Sequence, residues 1–243
     1  VSGVAETGFC VLDDAEAIAR YAADWLVAKL EHADHRPLAL CLSGGTTPRL
    51  LYQRLAQSPY REAVPWQHTH CFWSDERFVA PTHERSNYDM TRRLLLDRVP
   101  IPPENVHRIQ TESGSPGEAA AAYEQELKQF YRAPVPSPDR PLFDVTFLGI
   151  GADGHIASLF PGSAVLHERS RWTAASTDPE HEPRITLTFP VLESSRDVVF
   201  LVSGEAKRDI LRRARDGAPD LPAAQVRPVG RVHWFVDRAA AGS

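Results

Sequence analysis

Phe143-Asp144-Val145-Thr146-Phe147-Leu148-Gly149-Ile150-Gly151-Ala152-Asp153-Gly154-His155-Ile156-Ala157-Ser158-Leu159-Phe160-Pro161-Gly162 is the stretch whose reading decides the fold. A run rich in β-branched and aromatic residues stops abruptly at Gly149. Such a run suits a parallel strand covered on both faces. The Gly-x-Gly-x-x-Gly segment that follows suits a turn at the strand's carboxyl end, where glycine permits positive φ and close backbone approach. In open α/β sheets that end is where ligands bind. Asp153 and His155 are therefore titratable groups at a ligand-binding edge. A dinucleotide site is disfavoured, because it needs a long helix facing the pyrophosphate. Here Pro161-Gly162 cuts any helix short, and no acidic residue suits the ribose hydroxyls.

Working outward, strand and helix patterns alternate along the chain, which predicts a mostly parallel sheet with helices on both faces. Asp13-Asp14 opens a helix over Ala15 to Leu30. Residues 37–42 form the first buried strand and run into Ser43-Gly44-Gly45-Thr46-Thr47-Pro48, then a helix through Leu55. Strand, double glycine, hydroxyls and helix start together favour an anion site of free amides at the positive end of a dipole over a plain N-cap and tight turn, which needs one hydroxyl and no double glycine. No Lys follows in P-loop fashion, so a nucleoside triphosphate is not expected. A strand over 69–73 ends at Asp75 and Arg77, a pair suited to sugar hydroxyls and a phosphate or to a surface ion pair. Ser86 caps a helix through Val99, 105–109 is a short strand, and 118–131 is a helix followed by a proline-stiffened connector, 133–141. Strands are expected over 171–176, 183–190, 197–202 and 231–236, and a helix over 208–215. Arg184 begins one of these strands, as a solvated charge or an anion ligand. Lys207 follows Gly204 at a helix start, where a cation opposes the dipole and so hints at a use.

The 243 residues are 42% hydrophobic and 24% charged, enough to bury one large α/β domain, expected to span residues 1–243. A net charge of −5 offers no basic footprint for nucleic acid. No apolar run approaches the ~18 residues of a membrane helix, and the first residues lack a signal-peptide pattern. Cys10, Cys41 and Cys71 are odd in number and widely spaced, which suits reduced thiols and a cytoplasmic location. His68 and His70 share a strand face without a third ligand, so no metal is expected. No Gly-x-Ser-x-Gly nucleophile elbow occurs.

The segments 43–48, 74–77, 86–88, 148–162, 184–188 and 204–207, in this order, resemble the 6-phosphogluconolactonases, relatives of the glucosamine-6-phosphate deaminases. The resemblance covers nearly the whole chain. It implies a three-layer α/β/α sandwich with a mostly parallel central sheet, of the deaminase/ribose-phosphate-isomerase/CoA-transferase type. It implies hydrolysis of 6-phospho-D-glucono-1,5-lactone to 6-phospho-D-gluconate by a monomer without cofactor or metal. His155 would activate water, with Lys207 or loop amides at the oxyanion. Ser43, Gly44, Gly45, Thr46 and Thr47 would hold the phosphate, helped by Arg77 or Arg184. Asp75 would hold sugar hydroxyls, and Asp153 would either orient His155 or take backbone amides. Two departures tell against deamination. Ser158-Leu159-Phe160 stands where deaminases carry Phe-Asn-Glu, and Arg77 stands where they carry Tyr. A sugar-phosphate sensor is the non-enzyme alternative, but no basic helix-turn-helix is visible.

Overall fold

The computed structural model describes residues 7–30, 37–112 and 114–242. Its described strands are β1 (Thr7–Leu12), β2 (Leu38–Leu42), β3 (Thr69–Trp73), β4 (Asp75–Arg77), β5 (Val106–His107), β6 (Phe143–Leu148), β7 (Thr173–Thr177), β8 (Pro183–Leu187), β9 (Ser195–Val202) and β10 (Arg231–Asp237). Seven of them form one sheet in the order β1-β10-β9-β6-β2-β3-β5. Every pairing in it is parallel. Helices cover both faces, giving the three-layer α/β/α sandwich.

The apolar runs explain this centre. Every residue of β2 and of β6 is buried, as strands sandwiched between helix layers must be. Leu40, Val145, Phe147 and Phe200 belong to the continuous core, each fully buried side chain contributing about 1.5–3 kcal/mol. The helix Ala15–Leu30 buries Ile18, Ala22, Leu26 and Leu30 along one stripe. Its start is fixed by Asp14, whose Oδ1 accepts from the amide of Ala17 at 2.8 Å. Ser86 likewise caps the helix Asn87–Leu94. That helix stops five residues short of the expected Val99. Leu95 leaves helical geometry, and Arg98 Nε donates to the freed carbonyl of Arg93 at 3.0 Å.

One feature lies outside the expectations and one departs from them. First, residues 7–12 form β1, which lies beside β10 at the sheet edge. Its glycine, Gly8, lets His233 approach: a Cβ there would stand 2.9 Å from His233 Nδ1. Second, β7 and β8 do not join the parallel sheet. With β4 they form a separate antiparallel sheet, β4-β8-β7. The strand expected over 183–190 ends at Leu187, and Phe189–Leu192 turns helical. Register in the small sheet sets Asp75 opposite Thr186 and Arg77 opposite Arg184.

This arrangement positions a site. β2 and β6 are neighbours, yet the chain leaves β2 toward β3 and leaves β6 toward β9. The loops at their carboxyl ends diverge and leave a crevice at this switch in strand order. The small sheet supplies its remaining wall. Among the described residues, no helix is long and apolar enough to cross a membrane.

Candidate active site

A cavity of about 320 Å³ occupies that crevice. Ser43, Gly44 and Gly45 line it from the β2 end, Gly149 to Ala152 with His155 and Ala157 from the β6 end, and Lys207 from the β9 end. Asp75, Arg77 and Arg184 line it from the small sheet, and Asn87 from its helix.

His155 is presented by the glycine loop. Its Nδ1 lies 2.6 Å from Asp153 Oδ1, so the carboxylate accepts from an Nδ1–H and leaves Nε2 as the free, basic nitrogen. The same Asp153 oxygen accepts from the backbone amide of His155 at 3.2 Å. Orienting the ring and taking an amide are therefore one arrangement, and the two alternatives open from sequence merge. Asp153 itself does not line the cavity; it stands behind the imidazole. The ring lies directly against Gly151, where a Cβ would come within 2.1 Å of Nδ1. Phe160 supports the imidazole from another side, with ring centroids 4.7 Å apart. Ala157 adopts φ 48°, a left-handed conformation costly for a residue with a Cβ. This bend leaves Ala157 on the cavity wall and sends Ser158 into the interior.

The β2 loop has the features of an anion cradle. Gly45, at φ 108°, precedes the helix Thr46–Leu55, and no side chain caps that helix. Pro48 brings no N–H, and the amides of Thr46 and Thr47 have no partner among the described residues. Ser43 Oγ is buried on the cavity wall without a partner. Neither Thr46 nor Thr47 lines the cavity: Thr46 is exposed, and Thr47 Oγ1 bonds Ser203 Oγ at 2.8 Å. Tyr52 Oη clamps the loop by donating to the Ser43 carbonyl at 2.7 Å and accepting its amide at 3.0 Å.

Arg77 and Arg184 sit directly opposite on β4 and β8, a like-charge pairing that costs stability. They are satisfied differently. Arg184 Nη2 is held by Asp178 at 2.7 Å and Glu182 at 2.9 Å. Arg77 Nη1 donates to the Arg85 carbonyl at 2.5 Å, while its buried Nε has no partner. Arg77 has no carboxylate partner among the described residues, which sets aside the surface-ion-pair reading. Lys207 ends a 3₁₀ turn entered through Gly204 at φ 95°. Burial lowers its pKa, and Asp153 opposes that effect. Its ammonium has no hydrogen-bond or ion-pair partner among the described residues.

Several residues escape the sequence reading. Glu76 looks catalytic in Ser-Asp-Glu-Arg, yet it is buried and accepts the amides of Arg77, Asn87 and Tyr88, each at 2.8 Å. It serves as an anion at a helix N-terminus. Burial raises its pKa, against the pull of those amides. Asn87 reads as part of a helix cap, but its side chain packs on Gly44, where a Cβ would meet Oδ1 at 2.1 Å. No local signal announces that contact. His70 and His107 pair at 2.9 Å, and His107 also bonds Glu126. Burial and His107 push the His70 pKa down to about 4.

Residues 13–234 match the family described as glucosamine-6-phosphate isomerases/6-phosphogluconolactonase. A 6-phosphogluconolactonase of Nostoc sp. is 38% identical over 235 residues, 95% of each chain. One from Haemophilus influenzae is 36% identical over 210 residues, covering 85% of this chain and 87% of its own. The crystal structure of 6-phosphogluconolactonase from Thermotoga maritima superposes with a TM-score of 0.81 at 30% identity, covering 96% of this chain and all of that one.

Proposed function

The chain belongs to the glucosamine-6-phosphate isomerase/6-phosphogluconolactonase family, and from that premise we propose how its cavity works. The chain hydrolyses 6-phospho-D-glucono-1,5-lactone to 6-phospho-D-gluconate, a step of the oxidative pentose phosphate pathway. One observation carries the assignment of roles. His155, aimed by Asp153, faces a cavity whose other walls hold unpartnered anion donors, Ser43 Oγ and Arg77 Nε.

The phosphate rests on Ser43 and on the free amides at the start of the helix Thr46–Leu55, with Arg77 as its guanidinium. Arg184, already neutralised by Asp178 and Glu182, contributes field more than a direct bond. His155 Nε2 takes a proton from water as the oxygen attacks the lactone carbonyl. The tetrahedral oxyanion is met by Lys207, an ammonium with no competing partner. Collapse breaks the bond from C1 to the ring oxygen, which takes the proton back from the imidazolium. The new carboxylic acid then ionises. Asp153 keeps the imidazole in the tautomer this needs and stabilises its cation. Asp75 receives sugar hydroxyls. The chain acts as one domain, as a monomer in the cytoplasm, on a small sugar-phosphate lactone, without cofactor or metal.

The decisive experiment is a pair of assays. Purified protein is given 6-phosphogluconolactone at mildly acidic pH, where spontaneous opening is slow, and acid release is followed. It is then given glucosamine-6-phosphate, and ammonia release is followed. Acid without ammonia is expected; ammonia without acid overturns the reading. His155→Ala should lower kcat by about 10²–10⁴-fold, and near-normal turnover by that folded variant would remove His155 from its role.

A further inference from the structure

Asp75 is a carboxylate at 5% exposure on the cavity wall. Among the described residues it has no cationic partner within ion-pair distance. Burying a carboxylate without a counter-ion is costly unless hydrogen bonds satisfy its lone pairs. Three neutral donors reach it. Ser158 Oγ donates to Oδ2 at 2.7 Å, Asn87 Nδ2 to Oδ1 at 3.2 Å, and Ser74 Oγ to Oδ1 at 3.4 Å. Two of these contacts are long, and two carboxylate oxygens offer about four acceptor sites. The deficit faces the cavity.

Ser158 is the strongest of these donors, and its own position is unusually determined. It is fully buried. Its amide donates to Thr186 Oγ1 at 3.2 Å, and its carbonyl accepts from Ser176 Oγ at 2.7 Å. It follows the left-handed Ala157, three residues after His155. The loop that presents the base thus ends in a hydroxyl that grips a carboxylate on another sheet. Asn87 completes the frame. Its Nδ2 also donates to the Asp75 carbonyl at 3.0 Å, and its Oδ1 lies against Gly44 at the anion loop.

We infer that Ser158, acting through Asp75, is a positioning residue for substrate choice: with Asn87 it aims Asp75 at one ring hydroxyl of the lactone. Ser158 fixes the offset between that acceptor and His155, so reading the hydroxyl and placing the carbonyl become one event. This rests on the lactonase reading of the cavity. The hydroxyl completes the carboxylate's hydrogen bonding, and a substrate lacking it leaves the buried charge short of a donor. Sites built to bond a hydroxyl discriminate strongly against its absence.

The test compares the parent lactone with its 2-, 3- and 4-deoxy analogues in the native enzyme, Ser158→Ala and Asp75→Asn. In the native enzyme kcat/KM should fall for one analogue by roughly 10–100-fold, as expected for a hydrogen bond to a charged group. In Ser158→Ala that ratio should shrink to within about threefold, chiefly because the parent lactone's KM rises. Ser158→Cys, a weak donor of similar size, should recover part of it. Thermal melting checks that each variant is folded. A general loss of stability would lower all four substrates alike and leave the ratio unchanged, and that outcome overturns the inference. So does a native enzyme that treats all three deoxy lactones like the parent. Failure to hydrolyse the parent lactone at all would instead refute the functional reading.

Discussion

Replacing Gly151 by alanine tests the presentation of the base without touching an ionisable group. The backbone accepts the change, because Gly151 is not among the positive-φ glycines. The side chain does not fit. The added Cβ would stand 2.1 Å from His155 Nδ1, 2.2 Å from its Cε1 and 2.6 Å from Asp153 Oδ1. Ordinary contact at about 3.5 Å requires the ring to retreat by about 1 Å or more. The intruding methyl presses on both groups that share the 2.6 Å hydrogen bond, so the displacement disrupts that bond. A misplacement of about 1 Å can cost ~10²-fold in rate, equivalent to about 2.7 kcal/mol of barrier. The expected result is a kcat lower by about 100-fold with KM changed little, measured as acid release above the spontaneous rate. The imidazole is partly exposed, so the melting temperature should move only slightly. Gly151→Ala and Asp153→Ala should combine less than additively, since both break one interaction. A Gly151→Ala enzyme with kcat within threefold of native, or full additivity with Asp153→Ala, would refute the presentation argument.

Arg77→Lys keeps the charge but loses the Nε donor, and KM should rise about tenfold with kcat within threefold; inorganic phosphate should also inhibit the variant less well than the native enzyme, and an unchanged KM would reassign the phosphate. Lys207→Met should lower kcat by about 10²–10³-fold with a small change in KM; a pure KM effect would move Lys207 from the oxyanion to binding. His70 is held neutral in the fold, its pKa pushed down to about 4 from 6.5. Between those values the unfolded chain binds more protons, so stability should fall as pH drops through this window and stay level in this respect above it. Urea midpoints between pH 7 and 4 should show that slope in the native protein and less of it in His70→Gln; equal slopes would clear His70.

The strand-to-glycine junctions at Leu42–Ser43 and Leu148–Gly149 are legible because buried parallel strands must be apolar throughout and must then stop. Their loops fall at adjacent strand ends, so Ser43, Gly44 and Gly45 line one cavity with His155. The small sheet is less legible. Asp75 to Arg77 is a three-residue strand, and its partner lies more than a hundred residues away, a distance no local pattern encodes. Sequence separation likewise hides the contacts of Asn87 with Gly44 and of Ser158 with Asp75, 83 residues apart. Arg184 shows the limit of reading charges singly. Its neighbours Asp178 and Glu182 are plain in sequence, but only the turn between β7 and β8 brings both onto one guanidinium. Glu76 looks chemical from its company and is instead occupied by three backbone amides and the Ser86 hydroxyl.

The place of β1 beside β10 also has a consequence for synthesis. Leu12 pairs with Asp237, and Thr7 with Val232, so of the described strands the earliest made must wait for the latest before its inner edge is covered. At ~5–20 residues per second of translation, the wait is roughly ten to forty-five seconds. During it, residues 7–12 have no strand partner, and β9 likewise lacks β10. The strand itself limits the hazard of such a bare edge. Thr7-Gly8-Phe9-Cys10-Val11-Leu12 is short, and its glycine weakens β structure until His233 arrives to fill the space above it. A nascent chain with this topology holds the loops that line the cavity on strands made early or midway, and the border of the sheet on which they stand is completed by the latest of the described strands.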